Sequence, residues 1–341
     1  MTDIVVIGSL NMDLVVAVPR LPKIGETIRG SDLIRVPGGK GANQAAAAAL
    51  LGSQVLMIGR VGQDEFGSSL VQKLSSYGID TSGITVDPDV VTGTALVAFD
   101  PSGENSIVIC AGANARVLPK DIDQYEDTIG KARLILLQLE LPLDTVCRAI
   151  DLAVKHDVPV VLNPAPFAQI PVSTLRKVSY LIPNEVEAAQ LTGIDVRDLP
   201  SAERAATKLL GLGVDVVVIT LGKNGCLLRD RHQTMHVPAP TVSAVDSTAA
   251  GDAFIGGLSS QIALGRPCAN SLRWANCAAA LTVTRKGAQT SLPSLEELNK
   301  FVSELDATQG EVSADRQPKI LMGELRSRVI ERRRLRRKRA S

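Results

Sequence analysis

The order of the apolar segments constrains the fold more than any other feature of this sequence. Short runs rich in β-branched residues alternate with alanine- and leucine-rich stretches of helical periodicity. The strand-like runs are residues 4–7, 55–58, 134–137, 158–162 and 214–220, and the helical stretches are residues 44–51, 70–77, 145–155 and 202–211. This rhythm predicts an α/β fold with a mostly parallel sheet. Because the strands are apolar throughout rather than alternating, we expect helices on both faces, in a three-layer α/β/α body.

Two segments interrupt the rhythm. Residues 12–36 and 90–110 contain strand-like sequence that is joined by Pro, Gly and Asp turns, with no helix in between. They predict antiparallel hairpins that project from the body as a small β lid. A last amphipathic helix at residues 295–305 closes the body, so we expect one domain over residues 1–305.

The net charge of +1 conceals two oppositely charged parts. Residues 306–341 carry 11 Lys and Arg against 5 Asp and Glu, whereas residues 1–305 carry 26 against 31. Residues 332–339 contain seven basic residues in eight, and the segment has no aromatic residue. We interpret residues 306–341 as a basic, disordered tail. Two alternatives stay open, a phosphate-contacting or localising segment and a short amphipathic helix through Ile320, Leu321, Leu325 and Val329.

Specific nucleic-acid recognition by this tail is disfavoured, because stacking aromatic residues and zinc or helix-turn-helix patterns are missing. The five cysteines form no C-x-x-C pair and the three histidines have no metal-ligand spacing, so we predict no transition-metal site. Cys110 and Cys226 lie in apolar runs typical of buried thiols. The odd cysteine count, the absence of a signal peptide and the absence of an apolar run of ~18 to 20 residues favour a cytoplasmic protein and exclude a membrane-spanning one.

A polar turn that leads into a helix of small apolar residues is the most informative motif. It reads Asp246-Ser-Thr-Ala-Ala-Gly251-Asp252. A helix N-terminus presents unpaired N–H groups and a partial positive charge, so the amides of residues 249–252 are suited to an anion such as a phosphoryl group. Asp252 has two interpretations at this point: an acidic residue that complements the helix dipole, or a base that takes a proton from an attacking hydroxyl.

A glycine-rich loop precedes the helical stretch at residues 44–51. It reads Gly38-Gly39-Lys40-Gly41-Ala42-Asn43, and its spacing is not that of a Walker-type phosphate loop. A hinge turn with a solvated Lys40 and a close backbone approach to a polar ligand are equally compatible with this pattern.

Polar residues follow several of the predicted strands. Asn11 and Asp13 come just after the first strand, where ligands bind in open α/β sheets. A carboxylate next to an amide suits the recognition of vicinal hydroxyls. Three further segments end strands in the same way: Gln138-Leu-Glu140, Asn163-Pro-Ala-Pro166 and Asn184-Glu-Val-Glu187. We therefore expect these polar groups to converge at one edge of the sheet.

Together these segments resemble the ribokinase or PfkB family of sugar kinases, over residues 3–305. Both family signatures are present in order: the Gly-Gly-Lys-Gly-Ala-Asn stretch with its extension Gly59-Arg-Val-Gly-Gln-Asp64-Glu-Phe-Gly67, and the Asp-x-x-x-x-Gly-Asp stretch that ends at Asp252. The motif Asn184-x-x-Glu187 lies between them. Within the family the ribokinase group is most similar, through Asn11-Met-Asp13, Ala111-Gly-Ala-Asn114, Gln138-Leu-Glu140, Asn163-Pro-Ala-Pro166 and Thr284-Arg-Lys-Gly-Ala-Gln289.

The resemblance implies an ATP-dependent kinase that phosphorylates D-ribose at O5. Asp252 would be the base, and the amides of Ala249, Ala250, Gly251 and Asp252 would form the anion hole. The implied sugar-binding residues are Asn11, Met12, Asp13, Gly39, Lys40, Gly41, Ala42, Asn43, Glu140 and Asp252. The implied nucleotide-binding residues are Asn184, Thr220, Leu221, Gly222, Lys223, Asn224, Gly225, Gly251, Asp252 and Asn276.

The resemblance also implies two cations. Glu187 would bind Mg²⁺ through water, and K⁺ would lie beside the anion hole. The positions that match the K⁺ site are Asp246, Thr248, Thr282, Arg285, Gly287 and Ser291, several of them through backbone carbonyls. The lid would cover the sugar and form the contact of a homodimer.

Two positions depart from the family pattern. Ala249-Ala250 stands where many relatives have Gly-Ala, and Asn276 stands at a nucleotide contact where histidine also occurs. A kinase for another small sugar, such as deoxyribose or a ketohexose, is the first alternative function. The second is a pseudokinase or sugar sensor without turnover. The retention of Asp252, Gly251, Asn184 and Glu187 argues against it.

Overall fold

Two β-sheets organise the computed structural model, which describes residues 2–102, 105–266 and 268–309. The strands are β1 (Ile4–Ile7), β2 (Asn11–Ala17), β3 (Ile34–Gly38), β4 (Val55–Gly62), β5 (Asp80–Asp87), β6 (Gly93–Phe99), β7 (Asn105–Cys110), β8 (Leu134–Leu137), β9 (Val160–Leu162), β10 (Tyr180–Leu181), β11 (Val216–Thr220), β12 (Cys226–Arg229) and β13 (Thr234–Val237). The helices are α1 (Lys40–Leu50), α2 (Glu65–Ser76), α3 (Pro119–Asp123), α4 (Glu126–Lys131), α5 (Leu143–Lys155), α6 (Val172–Leu175), α7 (Glu185–Thr192), α8 (Leu199–Leu212), α9 (Ala250–Ala263), α10 (Cys268–Thr282) and α11 (Leu295–Gln309).

The larger sheet has nine described strands in the order β13-β12-β11-β10-β9-β8-β1-β4-β5. The seven strands from β11 to β5 are paired in parallel, and β12 and β13 add an antiparallel hairpin at one edge. All predicted strands are present within it. The mostly parallel sheet is therefore confirmed.

Helices cover both faces of this sheet. On β1, which lies between β8 and β4, Ile4 and Val6 face a core with α1, α2, α9 and α10, whereas Val5 and Ile7 face a second core with α3 to α8. All four side chains are fully buried. Because successive side chains on a strand point to opposite faces, an unbroken apolar run is what a strand between two helical layers needs. The three-layer architecture is confirmed.

Small residues bring α1 and α9 into close contact. A Cβ atom at Gly256 of α9 would lie 2.5 Å from Cβ of Ala47 and 2.7 Å from the carbonyl oxygen of Gln44 in α1. The run Ala45–Ala49 therefore does more than form a helix, because its methyl groups are short enough to admit the facing backbone. This contact places the N-terminal turns of α1 and α9 side by side.

The second sheet, which we call the lid, has the order β3-β2-β6-β7. The pairs β2–β3 and β6–β7 are antiparallel hairpins, as predicted. β2 and β6 pair in parallel, from Asn11 opposite Gly93 to Ala17 opposite Phe99, so the two hairpins form one mixed sheet. Cys110 is exposed on β7, the edge strand, and the interpretation of its apolar run as buried was wrong.

Four of the five predicted helices begin earlier than expected, with α2 starting at Glu65 rather than at residue 70, α5 at Leu143 rather than at residue 145 and α8 at Leu199 rather than at residue 202. α1 begins at Lys40 rather than at residue 44, because Gly39 at its N-cap has φ = +90°, a conformation that favours glycine. α11 continues to Gln309, beyond residue 305. The predictions for residues 310–341, including the amphipathic helix, lie outside the described residues. In the described ranges no helix is long and apolar enough to cross a membrane.

Candidate active site

The predicted polar groups meet where β1, β8 and β9 end and where α1 and α9 begin, with the lid strand β2 alongside. Asp252, in the first turn of α9, is the residue that links these elements, although only 8% of it is exposed. Its Oδ2 accepts a hydrogen bond from Nδ2 of Asn43 at 3.0 Å, and its Oδ1 accepts one from Nε2 of Gln44 at 2.9 Å. The close packing of α1 and α9 is what brings these partners within reach.

The turn that begins α9 leaves several amides unpaired. The Ala250 N–H bonds the carbonyl of Ser247 at 3.3 Å, whereas among the described residues the N–H groups of Ala249, Gly251 and Asp252 have no such partner. A Cβ atom at Gly251 would meet nothing within 4 Å, so the turn faces open space. The predicted anion hole is thus compatible with this geometry, with Ala250 as its weakest donor.

Ala249 adopts a left-handed conformation, with φ = 59° and ψ = 7°. Glycine adopts this conformation freely, whereas an alanine pays roughly 1 kcal/mol for it. The departure from the family pattern at this position therefore leaves the backbone donors in place at a small cost in strain.

Two predicted sugar ligands project from the same side of β2. Asn11 is buried, and Nδ2 of Asn114 donates to its Oδ1 at 2.7 Å. Asn114 is itself fixed by the backbone of Leu10, so the amide of Asn11 is left with its Nδ2 group as a donor. A Cβ atom at Gly38 would lie 2.3 Å from a carboxylate oxygen of Asp13, which explains a glycine on the facing strand.

Lys40 and Glu140 meet at the N-terminus of α1. Oε2 of Glu140 accepts from the backbone N–H of Lys40 at 3.0 Å and from the hydroxyl of Ser9. A carboxylate in this position complements the partial positive charge of the helix terminus. Gly39 packs on the backbone of Asn11, where a Cβ atom would lie 2.7 Å from its nitrogen.

Three carboxylates and one ammonium group share this small volume. Burial, together with the charges of Glu140 and Asp252, raises the pKa of Asp13 to about 7, and Lys40 offsets part of that rise. Burial lowers the pKa of Lys40, but the surrounding carboxylates raise it more, so Lys40 stays protonated. The cluster therefore keeps Lys40 protonated and favours the protonated form of Asp13 up to a pH of about 7.

Three of the predicted sugar ligands have side-chain positions turned away from this cluster. The side chain of Met12 lies on the opposite side of β2, where it lines a small cavity with Phe66 of α2. Gly41 packs on Gly8 and its N–H donates to the Ser9 hydroxyl at 3.2 Å, and Ala42 is fully buried in the core. These residues shape the turn and the strand that carry the polar groups.

The predicted nucleotide residues surround the ends of β10 and β11. Asn184 and Glu187 form a reciprocal cap at the start of α7, with bonds of 3.0 Å from Asn184 N to Oε2 and 2.8 Å from Glu187 N to Oδ1. Asn184 also bridges to Thr220, after which the 3₁₀ turn Gly222–Asn224 follows. Burial raises the pKa of Glu187.

Asn276 supports this region from behind. It is buried, and its Nδ2 donates to the carbonyls of Val237 at 2.9 Å and Pro238 at 3.3 Å. These hydrogen bonds hold the chain at the end of β13, which packs against Gly225.

Asp246 ties together the two loops that carry the predicted K⁺ ligands. Its Oδ2 accepts from the N–H of Gly287 at 2.9 Å, and its Oδ1 accepts from the N–H and the hydroxyl of Thr248. The guanidinium of Arg285 pairs with Glu297 at 2.8 Å, so this residue has only its carbonyl to offer a cation. Thr282 and Ser291 lie at the two ends of the second loop.

No group of three or more His, Cys, Asp or Glu residues suited to a metal occurs within the described ranges. Mg²⁺ commonly keeps several waters and uses one or two carboxylates together with substrate phosphates. A single buried carboxylate at Glu187 therefore fits Mg²⁺ held through water.

The sequence pattern assigns no individual role to five polar residues that hold the site together: Ser9, Gln44, Asn114, Gln138 and Asn163. Each lies in or beside one of the motifs or strands named above, but the pattern shows only that a polar residue follows a strand or a glycine loop. Which of these side chains contacts a ligand and which contacts another protein group depends on the relative placement of α1, β8 and β9.

Residues 1–295 match the family of pfkB carbohydrate kinases. A deoxyribokinase from Salmonella typhi is 40% identical over 302 residues, which cover 88% of this chain and 99% of the relative. A ribokinase from Haemophilus influenzae is 39% identical over 297 residues, covering 87% and 97%. The structure of Arabidopsis thaliana ribokinase complexed with ribose and ATP has a TM-score of 0.83 and 33% identity, and covers 89% of this chain and 99% of that one.

Proposed function

The chain belongs to the PfkB family of carbohydrate kinases and is a ribokinase-type enzyme, and on that premise we propose that it transfers the γ-phosphoryl group of ATP to O5 of D-ribose. The products are D-ribose 5-phosphate and ADP. The observation that carries this proposal is the position of Asp252, which lies between the unpaired amides that begin α9 and the polar groups of β2 and α1. A structural relative that binds both ribose and ATP supports the choice of substrates.

Asp252 takes the proton from the attacking hydroxyl. As that O–H bond breaks, the oxygen forms a bond to the γ-phosphorus, and the bond from the γ-phosphorus to the bridging oxygen of ADP breaks. The amides of Ala249, Gly251 and Asp252 stabilise the charge on the transferred group, because a helix terminus attracts anions. When bound, Mg²⁺ supplies charge neutralisation on the phosphates.

Asn43 supports a sugar in this position. Its Nδ2 is used by Asp252, whereas its Oδ1 is buried and has no hydrogen-bond partner among the described residues. A buried acceptor without a partner costs about 1 to 3 kcal/mol, and a substrate hydroxyl would remove that cost. The donor of Asn11 and the acceptors of Asp13 and Glu140 complete a set suited to several adjacent hydroxyls.

A ribose-dependent assay of ADP release tests the base. We expect Asp252→Asn to lower kcat by about 10³-fold or more, in the range that general base catalysis contributes. Binding of ATP, followed by calorimetry, should survive the substitution. An Asp252→Asn enzyme with full turnover would contradict the mechanism, and a wild-type protein that binds ribose without turnover would instead support a sugar sensor.

A kinase for 2-deoxyribose is the second candidate, because the deoxyribokinase relative is as similar to this chain as the ribokinase one. The same assay with D-ribose, 2-deoxy-D-ribose and a ketohexose, compared by kcat/KM, decides between them. We expect D-ribose to have the highest value.

K⁺ would order the loops joined by Asp246, and activity in K⁺ should exceed activity in Na⁺.

Exposed apolar side chains on the lid, among them Leu96, Ile107 and Val108, support a homodimer that pairs through the lid. The five free cysteines suit a reducing compartment, so we place the enzyme in the cytoplasm, with its kinase domain ending near residue 305.

A further inference from the structure

Three buried amides form a hydrogen-bonded chain that ends on the carboxylate of Asp252. Gln44 lies in α1, Gln138 follows β8 and Asn163 follows β9, and none of the three is more than 5% exposed. None was assigned to the sugar, the nucleotide or a cation. Buried amides that hydrogen-bond to one another rigidify their surroundings, so this chain is a candidate for holding the base in place. Oε1 of Gln138, at the outer end of the chain, is buried and has no hydrogen-bond partner among the described residues.

The direction of the chain is set by a backbone carbonyl. Nδ2 of Asn163 donates to the carbonyl of Ile182 at 3.0 Å, and a carbonyl can only accept. The other end of the Asn163 amide, Oδ1, therefore faces Gln44 and accepts from its Nε2 at 3.1 Å.

Gln44 passes this direction on to the carboxylate. Its Nε2 donates its second hydrogen to Oδ1 of Asp252 at 2.9 Å, and its Oε1 accepts from Nε2 of Gln138 at 2.6 Å. With the amide reversed, Oε1 of Gln44 would face both the carboxylate and Oδ1 of Asn163. Its nitrogen would then face the donor of Gln138. A single orientation satisfies all three neighbours.

We propose that Gln44 is a positioning residue for phosphoryl transfer, that Asn163 sets the direction of its amide, and that Gln138 donates to the oxygen that this direction leaves free. Gln44 holds Oδ1 of Asp252, so that Oδ2, the oxygen beside Asn43, is the one presented to the sugar hydroxyl. This inference rests on the proposed function, in which Asp252 is the base.

The expected cost of losing this contact is large, because a displacement of about 1 Å at a reacting group can lower a rate about 10²-fold. We expect Gln44→Met, which keeps the volume and removes the amide, to lower kcat about 10²-fold. The KM values for ribose and ATP should change less than threefold, since Gln44 touches neither substrate in this mechanism.

A control separates this effect from general destabilisation. Asp198 caps α8 through a bond from Ser201 N at 2.8 Å, remote from the cluster in sequence and function. Asp198→Ala should lower the thermal midpoint and leave kcat unchanged. If Gln44→Met retains wild-type kcat, or if its loss of kcat is matched by Asp198→Ala at equal loss of stability, the proposal is wrong.

A second pair of variants tests direction without touching Asp252. Gln138→Met removes a donor, but Asn163 still orients Gln44. Gln138→Glu introduces a group that, once ionised, can only accept, and it should draw Nε2 of Gln44 away from Asp252. We expect kcat of Gln138→Glu to fall tenfold or more below that of Gln138→Met as the pH rises from 6 to 9. Identical pH profiles for the two variants would overturn the amide chain.

Turnover in two variants separates the role of Asp252 from that of Gln44. Full turnover in Asp252→Asn would remove the base and the proposed function with it. An inactive Asp252→Asn alongside a fully active Gln44→Met would remove only the positioning role of Gln44.

Discussion

At the scale of single residues, the proposed sugar site contains a carboxyl group, Asp13, whose ionised form is disfavoured by its surroundings. Asp13 has its pKa raised to about 7 by burial and by Glu140 and Asp252. Its ionised form is the one that accepts two hydroxyl hydrogen bonds. The group that we propose to bind the sugar therefore also destabilises the fold when it is ionised.

The pH dependence of sugar binding follows from this residue. As the pH falls below about 7, Asp13 gains a proton and loses acceptor capacity, so KM for ribose should rise, by up to about tenfold per pH unit. In Asp13→Asn the KM should be high and should no longer change in this range. A wild-type KM that is flat between pH 6 and 8 would contradict the assignment.

The same residue should affect stability with the opposite sign. Because the folded pKa lies above the unfolded one, ionisation of Asp13 costs nothing below about pH 4 and costs its full amount above about pH 7. At pH 8 we expect Asp13→Asn to raise the free energy of unfolding by about 2 to 4 kcal/mol, with no gain at pH 4. Denaturant unfolding at the two pH values measures the difference.

At the scale of elements, the geometry of the base depends on how closely α1 and α9 approach. Gly256→Ala would place a Cβ atom 2.5 Å from that of Ala47, so the helices must separate. We expect a loss of about 1 to 3 kcal/mol in unfolding free energy. We also expect a lower kcat, because Asn43 and Gln44 move away from Asp252.

The neighbouring position offers a matched control. A Cβ atom at Gly257 would lie 3.5 Å from Cβ of Ala278, an ordinary contact, and 3.3 Å from Cδ1 of Leu51, a tight contact that a small shift of this side-chain end relieves. Gly257→Ala should keep wild-type kcat and gain up to about 1 kcal/mol from reduced backbone freedom. Equal kcat values for the two variants would show that the helix contact does not position the base.

The elements themselves could be predicted from the sequence more fully than their contacts. Unbroken apolar runs such as Ile4–Ile7 identify strands buried on both faces, and the parallel sheet follows from their alternation with helices. The parallel pairing of β2 with β6 could not be predicted, because it joins strands about 80 residues apart through hydrogen bonds that leave no local pattern. For the same reason, Gln44 and Gln138 were polar residues in motifs with no assigned partner.

At the scale of the whole molecule, the lid exposes several large apolar side chains to solvent. Leu96 and Val108 are directly opposite each other on β6 and β7, and each is about half exposed, at 47% and 55%. We expect Val108→Glu to convert a dimer into a monomer in sedimentation experiments. Val172→Glu, at an exposed apolar residue of α6, should leave the assembly unchanged. A monomeric wild-type protein would contradict pairing through the lid.

The basic tail provides a second test at this scale. A chain that ends at Gln309 keeps α11 complete, together with the ion pair between Arg273 and Asp306 at 2.6 Å. We expect this truncation to retain wild-type kcat and KM. Ending the chain at Leu305 removes the pair as well, which should cost at most about 1 kcal/mol since both partners are partly exposed. A large loss of kcat on removal of residues 310–341 would show that the tail takes part in catalysis.

The lid contributes residues to the proposed sugar site. Asn11 and Asp13 belong to β2, and β3 runs through Gly38 and Gly39 directly into α1, the helix that bears Asn43 and Gln44. A chimera that received the lid of a relative would therefore also receive that relative's residues at the proposed sugar site. Its altered β3 would shift α1, the helix that contacts Asp252. The proposed sugar ligands and the helix that holds Asp252 thus lie on one continuous segment, and neither can be exchanged as a separate module.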